Sequence, residues 1–229
     1  MKKFWLYSGL FLTVLLAMAV GAQAQNLTFN SVSPGQDATI VTSSGTPTLY
    51  SGGTRAGVDN LTFNGGSIQA WCIDLQHTIA FGGTYYADLK PFTSLPGGFL
   101  PPESALLQAA WLASTYSSGV GTDNDKAAGL GGAIWDASWP GRLTSFSSTS
   151  GANADYATYV GDLSGYPAGF DGGGYQVLEV WTDAGHTSPA QDFITLPPTN
   201  VPPVPEPGSI LLLGFGLLGL FGVARRRFK

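Results

Sequence analysis

Cys72 and His77 stand five residues apart, and a thiol beside an imidazole is the pairing from which a cysteine nucleophile or half of a metal site is made. Five residues along a strand put the two side chains on opposite faces, so they meet only if a turn intervenes. His186 is the one other histidine, and Cys72 the one cysteine, so no disulfide within the chain is available. A lone thiol otherwise reads as a small buried hydrophobe. The sequence contains no Gly-x-Ser-x-Gly elbow, no His-Glu-x-x-His and no phosphate-binding glycine loop followed by Lys-Ser/Thr. Asp123-Asn124-Asp125 gathers oxygen ligands but lacks the glycine and distal glutamate of a calcium loop, and capping of the following helix accounts for it. Trp111, Trp135, Trp139 and Trp181 offer faces for sugars if exposed and core packing if not. No enzyme activity, cofactor or metal is expected from this inventory.

A second pattern runs through the same cysteine. Trp71-Cys72-Ile73-Asp74 is followed by Ala109-Ala110-Trp111-Leu112 and then by Gly132-Ala133-Ile134-Trp135-Asp136. This order resembles the thioester domains of bacterial surface proteins. The resemblance implies a strand cysteine joined to a glutamine shortly before Ala-Ile-Trp, an internal acyl donor that captures amines. Here Gly131 stands at the expected glutamine position, and a glycine has no carboxamide to be attacked. Gln108 and Gln76 are the substitutes, with Gln76 about 13 Å from Cys72 if the strand continues.

The elements that must position these residues are legible in part. From Gln25 to about Ile79, short alternating runs rich in Thr, Ser, Val and Gly predict strands joined by turns. Asn26-Leu27-Thr28-Phe29-Asn30 recurs as Asn60-Leu61-Thr62-Phe63-Asn64, and in each copy Leu and Phe share one face. Gly65-Gly66 makes a tight turn into a strand from Ser67 to Ile73, whose apolar centre predicts burial on both sides. Residues 81–98 read as loop or edge strand. Pro101-Pro102-Glu103 opens a helix, Thr122 or Asp123 caps a second running to about Trp139, and Asn153 to Leu163 is a third. Gly129, Gly131 and Gly132 in the second helix imply close packing. Tyr175 to Trp181 and Asp192 to Leu196 are strands. The expected fold is α+β or mainly β: an antiparallel sheet or sandwich with an inserted helical segment, plus one C-terminal transmembrane helix.

The two ends carry addresses. Lys2 and Lys3, an apolar stretch from Phe4 to Val20, and Ala22-Gln23-Ala24 read as a cleaved signal peptide over residues 1–24. Residues 25–196 form the exported globular domain, and residues 197–208 a proline-rich spacer that includes Pro205-Glu206-Pro207. Residues 209–224 then give about 24 Å of helix, short for a hydrocarbon core of about 30 Å. Its apolar side chains are Ile210, Leu211, Leu212, Leu213, Phe215, Leu217, Leu218, Leu220 and Phe221. Residues 225–229 form a basic tail in which Arg225, Arg226 and Arg227 hold this end in the cytoplasm.

This tripartite tail resembles the PEP-CTERM sorting signal of bacterial envelope proteins. The resemblance implies recognition by an exosortase, a membrane-embedded cysteine transpeptidase that cuts near the motif and passes the protein outward. Between the two ends lie four basic and fifteen acidic residues, a formal charge of −11, which argues against nucleic acid or anionic lipid as partner. The expected protein is a non-enzymatic component of the cell surface or its exopolysaccharide matrix. A covalent adhesin acting through Cys72 and a noncovalent carbohydrate-binding module are the alternatives.

Overall fold

The computed structural model describes residues 25–95 and 101–197. Seven strands and three helices follow one another as β1 (Gln25–Thr42), β2 (Gly52–Phe63), β3 (Gly66–Cys72), β4 (Thr84–Lys90), α1 (Glu103–Val120), α2 (Asn124–Ser138), β5 (Leu143–Ser147), α3 (Ser150–Asp162), β6 (Gln176–Trp181) and β7 (Phe193–Thr195). The strands lie in the order β2-β3-β7-β6-β4-β1-β5, all neighbours antiparallel. Because β1 also pairs with β2, six strands close into a ring, and β5 adds to the far half of β1. This is the expected antiparallel α+β arrangement. Among the described residues no helix is long and apolar enough to cross a membrane, and the expected spanning helix at 209–224 lies outside them.

The repeated pentapeptide explains how the ring begins. Its two copies pair with each other, Leu27 opposite Phe63 and Phe29 opposite Leu61. All four side chains are buried, each burial stabilising by roughly 1.5–3 kcal/mol. Register shifts after Phe29 and Val32 bend β1, so that its first residues pair with β4 and its last with β5. At the bend Gly35 faces Gly57 so closely that a Cβ on Gly57 would lie 2.3 Å from the Pro34 carbonyl oxygen.

The β2–β3 hairpin turns on Asn64 (φ 51°) and Gly65 (φ 80°), one residue earlier than the Gly65-Gly66 expected. Two successive positive φ values suit the right-handed twist of a two-residue hairpin, and Asn-Gly is the pair that adopts them best. Along β3 the alternation divides two cores. Ile68, Ala70 and Cys72 pack with Leu27, Phe63 and Phe193, whereas Trp71 and Ile73 pack with the helices at Leu106, Leu130 and Ile134. From Ala70 to Cys72 the strand is thus buried on both faces, while Ser67 and Gln69 at its start are exposed.

Two strands depart from expectation. Residues 84–90, read as loop or edge, form β4 between β6 and β1, with Ala87 fully buried. Flanking glycines and Pro91 bound this strand without entering it. The short β5 interrupts the helical segment, and only Leu143 and Phe146 of its five residues are buried. The helices follow their caps: Pro102 precedes α1, and Asp123 accepts from the N–H groups of Asp125 and Lys126 at the start of α2. Thr149 starts α3 at Ser150, three residues ahead of the expected Asn153.

Candidate functional site

Cys72 ends β3 on the ring's inner face, and the pairing register decides what meets it. Cys72 lies opposite Phe193 of β7, and the Ile73 N–H donates to the Asp192 carbonyl at 3.1 Å. That ladder brings in Gln191, the residue before, whose Nε2 lies 2.6 Å from the Cys72 sulfur. An ordinary N–H···O bond spans about 2.9 Å and sulfur is larger than oxygen, so this is close packing of amide on thiol. The thiol itself donates to the Asp74 carbonyl at 3.2 Å.

On the other side, β2 places Asp59 against the same residue. Its Oδ2 accepts the Cys72 N–H at 3.1 Å, and the side chain is buried. Burial pushes the Asp59 carboxyl up to about 8, opposed by that N–H. Burial, with the Asp59 charge second, also pushes the Cys72 thiol well up, while Gln191 and Trp135 pull it back. The thiol is therefore protonated at neutral pH.

Helix α2 closes the site. The Trp139 indole N–H donates to the Ile73 carbonyl at 2.8 Å, fixing the end of the helix beside Cys72. One turn earlier Trp135, only 4% exposed, holds a buried indole N–H that completes no hydrogen bond. A cavity of about 160 Å³ gathers Asp59, Cys72, Gly131, Trp135 and Gln191 beneath a rim that includes Arg55 and Phe81. Phe81 is 61% exposed and stacks on Phe29, with ring centroids 4.8 Å apart.

Gly131 thus reaches the same cavity as Cys72, but as a packing residue. A Cβ there would stand 3.0 Å from the Gly57 nitrogen, so α2 lies on β2 at a distance only glycine permits without displacement. Neither Gln76 nor Gln108 is the amide at the sulfur. The Gln76 N–H binds the Asp74 carboxylate, and Gln108 lies on α1. Gln191 is 119 residues from Cys72 and belongs to no motif, and its one mark in the sequence is an amide two residues ahead of a short apolar strand.

The other candidate residues go elsewhere. A turn does follow Cys72, but His77 Nδ1 uses it to reach the Asp74 carboxylate at 2.7 Å. His186 stacks on Trp181, ring centroids 4.0 Å apart. Asp123 caps α2, the Asn124 side chain accepts the Gly35 N–H, and Asp125 receives Gln36 and Thr149. Trp135 and Trp139 are core residues and Trp111 and Trp181 are half-buried, so none of the four offers a fully exposed face.

Pro205, Glu206 and Pro207, the apolar run after them and Arg225 to Arg227 lie outside the described residues. No curated protein and no solved structure matches the chain. A family model does match: over residues 203–227 the chain carries the PEP-CTERM protein-sorting motif, a signal that implies export and processing by an exosortase.

Proposed function

We propose that this protein is delivered to the cell surface or its exopolysaccharide matrix, where it acts by attachment rather than by turnover. The sorting motif behind an acidic folded domain carries this reading. Replacing Pro205-Glu206-Pro207 by alanines in a host with the sorting machinery tests it. The expected result is retention in the membrane with the tail uncut; unchanged cleavage and release would sink it.

The packing of Gln191 on Cys72 favours a covalent form of that attachment. In this reading the Cys72 sulfur attacks the Gln191 carboxamide carbon; the S–C bond forms, the C–N bond breaks, and the thiol proton leaves with the amide nitrogen as ammonia. An incoming amine then takes the acyl group and returns a proton to the sulfur. The glutamine comes from the segment before β7 instead of from α2, where Gly131 stands. Intact mass of the full chain decides: a deficit of about 17 Da to which methylamine adds about 31 Da, a net gain of about 14 Da over the unreacted chain, supports the thioester. No deficit in the wild type, or a deficit that survives Gln191→Ala, removes it.

A further inference from the structure

A buried donor without an acceptor is costly, and native proteins hold few of them. The Trp135 N–H is such a donor. It is nine-tenths buried, lines the Cys72 cavity and completes no hydrogen bond. Its place is explained if its acceptor exists only when the site reacts. The acyl oxygen of Gln191 is that acceptor, because it gains negative charge whenever the carboxamide carbon becomes tetrahedral.

Acyl transfer at this carbon also needs a proton carrier. The thiol must lose a proton for the bond to form, and the sulfur must regain one when an amine displaces it. The cavity holds no histidine, and the group that adjoins Cys72 is the Asp59 carboxylate, fixed by the Cys72 N–H. The titratable groups around it are few. Arg55 on its own strand and Cys72 from β3 line the cavity with it, and Asp74 adds a carboxylate beyond Cys72. From α2 come Gly131 and Trp135, and from the segment before β7 Gln191, none of them charged.

We infer that Trp135 and Asp59 are working parts of an acyl-transfer site for small primary amines: the indole N–H stabilises the oxyanion at Gln191, and the carboxylate carries the proton between sulfur and nitrogen. The inference rests on the Cys72–Gln191 thioester proposed above. Both steps balance without oxidant or reductant, since only acyl groups and protons change partners. The Asp59 carboxyl, raised to about 8 by burial, is matched to such work at neutral to mildly alkaline pH.

The test measures methylamine incorporation into the full chain by intact mass, as a rate per thioester present and per unprotonated amine, across pH 5 to 10. In the wild type the rate is expected to rise with pH and level off above about 8. Asp59→Asn retains an oxygen for the Cys72 N–H and is expected to slow incorporation about 100-fold and abolish the pH step. Trp135→Phe keeps the ring's bulk and is expected to slow it about 100-fold with the step retained. A wild type without the mass deficit overturns the thioester and this inference together. A wild-type thioester whose capture is indifferent to both variants overturns this inference alone. Should either variant fail to fold, the wild-type profile decides, a flat one counting against Asp59.

Discussion

The Trp139 indole N–H donates to the Ile73 carbonyl at 2.8 Å, joining the end of α2 to the residue after Cys72. Both groups are buried, so the bond fixes the helix to the site wall where water cannot replace it. Trp139→Phe leaves that carbonyl without its indole partner and should lower stability by about 1–3 kcal/mol, read as a shift in the denaturant midpoint at unchanged slope.

Gly131 permits a second prediction. With a Cβ 3.0 Å from the Gly57 nitrogen, Gly131→Gln forces α2 away from β2 and should cost about 1–3 kcal/mol, despite glutamine's better helix propensity. Glutamine at this position should not support a thioester when Gln191 is changed to alanine. Thermal unfolding and intact mass check the two halves separately.

Stability should fall as pH rises. The carboxyls of Asp59, Asp74 and Asp136 are all raised, each with burial as its first cause, and Asp59 reaches about 8. The folded state therefore holds more protons than the unfolded chain above the ordinary carboxyl range of about 4, and loses that advantage as pH climbs through 8. Unfolding free energy should drop by a few kcal/mol between pH 5 and pH 9, and Asp59→Asn should remove part of the slope, the rest staying with the other buried carboxyls, Asp192 among them. A midpoint that rises over this range would contradict the burial of Asp59.

The β2–β3 turn gives a local prediction. Gly65 sits at φ 80°, and Gly65→Ala should destabilise by about 1 kcal/mol through backbone strain alone, since no neighbour lies within 4 Å of the added carbon. Substitution by a residue tolerant of positive φ, Gly65→Asn, should cost less by the same denaturation measurement.

Most elements could be read from local pattern: Asp123 announced α2, Pro101-Pro102-Glu103 announced α1, and Leu27, Phe29, Leu61 and Phe63 announced their shared face. What local pattern cannot carry is which strands become neighbours. Closure of β1 on β2, the interior place of β4 and the arrival of Gln191 at Cys72 all depend on register across many residues. The Cys72 side of the site was visible as a motif. The thioester resemblance puts the amide partner on α2, and in this chain the close approach of α2 to β2 fills that place with glycine.

Strand β7 is also a mechanical part. It has three residues, held by three rungs on β3 and three on β6, and along the sequence it is the last described strand before the proline-rich segment and the sorting motif. Tension applied through the chain beyond Leu196 loads those rungs first, and the strand that peels is the one that sets Gln191 against Cys72. In the proposed reaction capture of an amine breaks the Cys72–Gln191 bond, so that bond clamps β7 to β3 only before attachment, and afterwards the rungs alone hold the strand against the pull.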